Sequence, residues 1–137
     1  MTDEHRLSVP APLLTTNRER SGHWHTRADV VRQTRESAHW LAKAASLPKV
    51  DKVRVEFFPY QAKGRLADAG AHLPTAKAVL DGIVDAGVLP DDNPKHVLSL
   101  VMHAPQRAKQ DRMDVLLAIC PTVGNNSDTN YQLPREA

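Results

Sequence analysis

The segment PTAKAVLDGIVDAG, residues 74–87, decides the fold expected for this chain. Pro74 suits the first turn of a helix, because a backbone N–H would have no intrahelical partner there. Gly87 suits the residue that follows a helix, where a left-handed backbone is common. The apolar side of the segment is supplied by Ala78, Leu80, Ile83 and Val84. The segment therefore predicts a helix over about residues 74–86.

The chain before this helix predicts two strands and a second helix. Residues 52–59 alternate between apolar and other side chains, which is typical of a strand with one buried face. Residues 26–46 place small and apolar residues at helical spacing and predict a long helix, with Thr26 as its N-cap. Residues 5–9 predict a short first strand, because prolines follow directly.

The chain after the helix predicts two more strands, at residues 96–103 and 112–120, joined as a hairpin by the polar stretch 104–111. The predicted order is β-α-β-α-β-β. This indicates a small α+β domain, a mixed sheet with two helices packed on it. We assign residues 1–120 to this domain and expect the polar tail, residues 121–137, to be loosely ordered.

Composition narrows the class of protein. The 137 residues suit one domain, and the net charge of +2 permits nucleic-acid binding without requiring it. Cys120 is the single cysteine, which argues against a disulfide-stabilised secreted domain. No stretch approaches the roughly 18 apolar residues of a membrane span, and the charged N-terminus does not resemble a signal peptide. We expect a cytoplasmic protein that does not bind membranes.

The candidate chemistry consists of carboxylates and cations near the helix. Asp91 and Asp92 could share a hard cation such as Mg²⁺, but Asp-Asp-Asn-Pro is also good turn chemistry, and these residues alone favour the turn. Asp68 is either a metal ligand or a solvated loop carboxylate. Lys77 and Asp81 are four residues apart, which favours a surface ion pair. The alternative is that Lys77 faces a phosphate at the helix N-terminus.

Residues 68–97, DAGAHLPTAKAVLDGIVDAGVLPDDNPKHV, resemble the motif of RusA-like Holliday junction resolvases. In that family an Asp-x-Asp-Asn loop precedes a helix that carries Lys and Asp, the helix ends Ala-Gly, and an Asp-Asp pair follows. The actinobacterial and phage branch is similar also in its Pro-Thr-x-Lys-Ala and Asp-Gly-Leu-Val-Asp-Ala-Gly segments. Residues 10–18 and His23-Trp24 resemble the same branch. The likeness covers about residues 5–120, and the predicted element order agrees with the family fold.

The resemblance implies a homodimer that cuts four-way DNA junctions with Mg²⁺ during recombination and repair. Asp68 matches the first loop ligand, and Asp92 with Asp91 matches the ligands after the helix. Lys77 matches the lysine near the scissile phosphate, so Asp68, Lys77 and Asp92 are the implied catalytic residues. The DNA-backbone candidates are Arg18, Arg20, Lys63 and Arg65.

Two positions depart from the family motif. Gly70 stands where the family has its second loop Asp, and Ala71 where it has Asn. His72 lies nearby, and an imidazole would suit Mn²⁺ better than Mg²⁺, although a simple loop histidine is the favoured interpretation. The open alternatives are a catalytically weakened protein that binds junctions without cutting, and a protein-interaction module that uses Trp24 and the basic loop.

Overall fold

A computed structural model of the chain describes residues 3–15 and 24–121. The elements in chain order are β1 (Glu4–Pro10), α1 (Trp24–Ala44), β2 (Val53–Gln61), α2 (Leu73–Asp85), β3 (Val97–Met102), β4 (Gln106–Arg107) and β5 (Arg112–Ile119). The prediction of an α+β domain with a mixed sheet and two helices is confirmed. Of the predicted tail, residues 121–137, all but Pro121 lie outside the described residues.

The sheet has the strand order β1-β5-β2-β3, and β4 adds to the end of β2. β5 pairs antiparallel with both β1 and β2, whereas β3 and β4 run parallel to β2. The predicted hairpin of the last two long strands is therefore wrong: β3 and β5 lie on opposite sides of β2.

The central position of β2 separates the two strands of the expected hairpin. β5 pairs with one edge of β2, and β3 and β4 pair with the other. The crossover through α2 returns the chain parallel to β2, as such connections do. The polar residues 103–111 then pass around the end of β2, where β4 pairs with Tyr60 and Gln61.

One face of the sheet carries the core. Its strands contribute Leu7, Val9, Val53, Val55, Phe57, Met113, Val115 and Leu117, all buried. Both helices cover this face, with Ala38 and Ala42 from α1 and Val79, Leu80 and Ile83 from α2 in the same cluster. The core thus fixes the position of α2, which carries Lys77.

The ends of the helices follow local sequence. α1 begins at Trp24, so Thr26 lies inside the first turn and the prediction of Thr26 as N-cap is wrong. α1 ends at Ala44, and Ser46, with a positive φ of 54°, follows it two residues before Pro48. α2 has proline in its first turn and ends before Gly87, at φ 87°, as its sequence predicts.

Gly82 lets the two helices approach closely. A Cβ at this position would collide with the Arg35 carbonyl oxygen and would lie 2.7 Å from the Ala38 Cβ. A residue without a side chain is therefore required where α2 crosses α1. The close approach also brings Arg35 of α1 to the acidic residues of α2.

Candidate functional site

The first feature of the candidate site is an ion pair between α2 and the turn that follows it. The Lys77 Nζ donates a hydrogen bond to the Asp92 Oδ2 at 3.1 Å. The contact forms because Val88 and Leu89 are buried in the core, which turns the chain back along α2. Two of the three residues that the family motif assigns to catalysis are thereby in contact.

Asp91 belongs to the turn itself. Its Oδ1 accepts a hydrogen bond from the Asp92 backbone N–H, and its Oδ2 accepts one from the Asn93 side chain. Asn93 in turn accepts from the backbone N–H of Lys95. These are the local bonds by which Asp and Asn stabilise turns, so the turn expected from Asp-Asp-Asn-Pro is present. It holds the Asp92 carboxylate toward Lys77.

A second charged group lies where α1 crosses α2. The Arg35 guanidinium donates two hydrogen bonds to Asp85, at 2.6 and 2.9 Å, and lies 3.9 Å from Asp81. Hydrogen bonding from Arg35 lowers the pKa of Asp85 below its ordinary value. Burial raises the pKa of Asp81, although the nearby Arg35 and Lys77 oppose this.

The expected pair of Lys77 with Asp81 is thus replaced by two cross-element pairs, Lys77 with Asp92 and Arg35 with Asp81 and Asp85. Sequence reasoning missed Arg35, because its role depends on the packing of α1 against α2. The usable signal is Gly82, since a glycine inside an amphipathic helix indicates close contact with another element.

Asp68 lies in the loop that precedes α2. It lines an open cleft with Thr15, Arg65 and the backbone turn at Gly70. The Asp68 carbonyl oxygen accepts from the Ala71 N–H, and Gly70 has a φ of 88°. This left-handed backbone favours glycine, the residue that stands at this position.

The loop that carries the basic candidates is held by Gln61. Its side-chain amide donates to the carbonyl oxygens of Lys63 and Arg65, and its oxygen accepts from the Ala67 N–H. The side chains of Lys63 and Arg65 are left exposed at the rim of a second cleft. Sequence reasoning missed Lys109, which lines the same cleft from the segment before β5.

His72 lies in the turn before α2, where the sequence predicts a loop histidine. Its side chain is buried, 4% exposed, at the start of α2. The Nδ1 lies 3.0 Å from the Leu14 carbonyl oxygen, so Nδ1 carries the proton and donates. The segment after β1 is held at the same place by a bond from the Leu14 N–H to the Thr75 hydroxyl. In this arrangement the ring ties the two segments together.

The described carboxylates fit only a sparse metal site. Across residues 3–15 and 24–121, no three histidine, cysteine, aspartate or glutamate side chains come together as a metal-binding group. Mg²⁺ commonly needs just one or two carboxylates, with waters and substrate phosphate completing its shell. The oxygen donors of Asp92 and Asp68 suit that ion chemically, whereas Gly70 and Ala71 add no side-chain ligand.

Three of the sequence candidates lie where the structure gives no account of their side chains. Arg18 and Arg20 fall outside the described residues, as does the side chain of Trp24.

In the part of the chain that is described, no helix is long and apolar enough to cross a membrane.

Comparison with known proteins does not assign a family. No protein-family model matches the chain, and no curated protein matches it. Function must therefore be argued from the residues and their geometry.

Proposed function

We propose that the chain is a RusA-like, Mg²⁺-dependent endonuclease that resolves four-way DNA junctions in recombination and repair. The observation that carries the proposal is the contact of Lys77 with Asp92, 3.1 Å apart, because the motif resemblance assigns both residues to one active site. A lysine and an aspartate fifteen positions apart need a specific chain reversal to meet. We further propose that it acts in the cytoplasm, where a chain with one cysteine stays reduced.

The roles of the residues follow from their charge and exposure. Lys77 is exposed near the N-terminal end of α2, so its ammonium group can bind a phosphate oxygen of the scissile bond. Asp92 orients Lys77 before DNA binds and would hold the metal with Asp68, while Asp91 fixes the turn. Mg²⁺, when bound, would neutralise charge on the phosphate and lower the pKa of a water. Lys63 and Arg65, with Arg18 and Arg20, would bind the DNA backbone.

A homodimer is part of this proposal. Each chain offers one Lys77–Asp92 pair, whereas resolution of a junction needs cuts in two opposing strands. A two-fold dimer presents two equivalent sites to a nearly two-fold substrate. Light scattering at micromolar concentration should give twice the mass of the 15.2 kDa chain. A monomer that persists when junction DNA is bound would contradict this part of the proposal.

A junction-cleavage assay tests the proposal. The purified chain is incubated with a synthetic four-way junction and, separately, with a linear duplex of the same arms, each with Mg²⁺ or Mn²⁺. We expect paired nicks near the branch point of the junction and an uncut duplex. Equal cutting of both substrates would indicate an unspecific nuclease and would contradict the proposal.

The second candidate is a protein that binds junctions without cutting them. It is favoured by the absence of a three-ligand group in the described residues and by Gly70 and Ala71 at the two departing positions. In the same assay this candidate predicts a junction-specific mobility shift with no nicks in either metal.

A further inference from the structure

A second cleft, larger than the one at Asp68, opens beside the basic loop. It has a volume of about 820 Å³ and is bounded by residues 10–15, 61–67 and 109–111. Its size falls within the range of small-molecule sites in proteins. Two of the segments are fixed to each other, since the Ala62 N–H donates to Asp111 and the Ala108 N–H donates to the Gln61 carbonyl oxygen. The third is held to the start of α2 by the bonds of Leu14 with His72 and Thr75. The cleft is therefore a built feature of the fold.

The walls of the cleft differ in chemistry. Pro10, Pro12 and Leu13 give one wall an apolar character. Lys63, Arg65 and Lys109 are exposed at the cleft and make its rim positive. A ligand that suits the apolar wall and the positive rim has a flat apolar part and an anionic group.

The interior of the cleft offers hydrogen-bond acceptors. The Asp111 Oδ1 accepts one bond from the Ala62 N–H, and a carboxylate has room for further donors. His72 also lines the cleft, and its Nδ1 donates a hydrogen bond to the Leu14 carbonyl oxygen, so in the neutral ring Nε2 is the hydrogen-bond acceptor. Within the described part of the chain, Nε2 is a buried side-chain nitrogen with no hydrogen-bond partner. Such an atom is costly to leave unsatisfied, and an incoming donor would relieve that cost.

We infer that this cleft binds an unstacked nucleotide whose base carries an exocyclic amino group. The base would lie against the apolar wall and donate to Asp111 and His72, and the phosphate would meet Lys63, Arg65 or Lys109. Because Nε2 has almost no exposed surface, the bond to His72 requires a small movement of the ring or of residues 13–15. Adenine, cytosine and guanine have such amino groups and thymine does not.

This inference goes beyond the proposed nuclease activity, because binding of one nucleotide needs neither cleavage nor the Lys77–Asp92 pair. The same chemistry is offered by a free nucleotide and by a base unstacked at a DNA branch point. Calorimetry with dAMP, dCMP and dTMP probes the first source. A four-way junction with 2-aminopurine at the branch point probes the second, since unstacking raises the fluorescence of that base.

Calorimetry on the full chain should show dAMP and dCMP binding about fivefold more tightly than dTMP, the effect of one hydrogen bond. Asp111→Asn keeps an oxygen for the Ala62 N–H but replaces an acceptor by a donor, so the preference should shift toward dTMP. Lys109→Ala is the matched control at the rim: it should weaken all three nucleotides alike and leave the base preference unchanged.

Two results would overturn the inference. The first is equal affinity for the three nucleotides. The second is that no nucleotide binds and that the 2-aminopurine fluorescence is the same with wild type and with Asp111→Asn. A third result supports the inference: the free nucleotides do not bind, but the 2-aminopurine fluorescence rises with wild type and not with Asp111→Asn. The ligand of the cleft is then a base of branched DNA rather than a free nucleotide. Asp92→Asn should leave nucleotide binding unchanged while it abolishes cleavage, so failure of one proposal is distinguishable from failure of the other.

Discussion

At the scale of single residues, the charges around α2 are arranged by contacts across elements. Arg35 reaches from α1 to Asp85 and Asp81, and Lys77 reaches from α2 to Asp92. The two acidic partners of Arg35 differ, because hydrogen bonds favour ionised Asp85 whereas burial disfavours ionised Asp81. One arginine therefore faces two carboxylates with opposite effects on stability.

Removing each charge should change stability in opposite directions at neutral pH. The lowered pKa of Asp85 means that its stabilisation is present above the ordinary aspartate pKa and lost as pH falls through the lowered value. Asp85→Asn should therefore lower the urea midpoint at pH 7. The raised pKa of Asp81 means that its ionised form costs stability, so Asp81→Asn should raise that midpoint.

Both differences from wild type should shrink as the pH falls, but over different ranges. The Asp81 difference is lost between its raised folded pKa and the ordinary aspartate pKa, whereas the Asp85 difference begins to fall at the ordinary value and is lost only below its lowered folded pKa. The effects are small, since both side chains are more than a third exposed. Denaturant titrations at pH 7, 5 and 3 measure them. A loss of stability in both variants at pH 7 would contradict the assignment for Asp81.

The sequence names charged residues at this scale without their partners. The resemblance assigns Lys77 and Asp92 to one site; the two are in contact, and their role in catalysis stays a prediction. The spacing of Lys77 and Asp81 suggested a different pair, because helical periodicity says nothing about an arginine on another helix. His72 lies in a turn, as a loop histidine does, but its burial was not predictable, because the segment it contacts lies about sixty residues earlier.

At the scale of elements, the contact between α1 and α2 depends on Gly82. A methyl group there meets the backbone of α1, which cannot move without shifting the whole helix. Gly82→Ala should therefore destabilise the fold by about 2–3 kcal/mol, although alanine favours helices more than glycine does. Thermal unfolding measures the loss.

Glu36→Ala, an exposed change on α1, is the matched control and should change stability by less than about 0.5 kcal/mol. If Gly82→Ala is as stable as wild type, α1 and α2 do not approach each other as closely at Gly82 as described.

The elements themselves were largely predictable, but their pairing was not. Periodicity and terminal residues located both helices and the long strands to within a few residues. The hairpin was mispredicted because polar residues 103–111 suit a tight connection and a crossover at the end of β2 equally well. The difference between the two is which strands lie beside β2 in the folded sheet, and the sequence of a single strand does not report its neighbours.

At the scale of the whole molecule, three positive side chains are grouped in one patch of the surface, although the net charge of the chain is small. Lys63 and Arg65 stand on a loop fixed by Gln61, with Lys109 beside them. A net charge of +2 gave little indication of this grouping. Two loops bring the cations together, and the sequence distance between those loops hides the patch.

The patch predicts a salt-dependent affinity for DNA. Replacement of Lys63 and Arg65 by alanine should weaken binding to junction and duplex alike and reduce the slope of log K against log salt by about 2. Fluorescence anisotropy at several salt concentrations measures the slope. Glu36→Ala serves as the control and should leave the slope unchanged. An unchanged slope in the double variant would remove these residues from the DNA interface.

The central claim, that Lys77 and Asp92 form a nuclease site, is tested most directly by single-turnover cleavage of a four-way junction. Wild type, Lys77→Ala, Asp92→Asn and the surface control Asp29→Asn are compared at saturating protein with millimolar Mg²⁺ or Mn²⁺. We predict that Lys77→Ala and Asp92→Asn cut at least about a hundredfold more slowly than wild type while still binding the junction. Asp29→Asn should cut at the wild-type rate. A wild-type protein that binds but never nicks, or an Asp92→Asn variant that cuts normally, would contradict the claim.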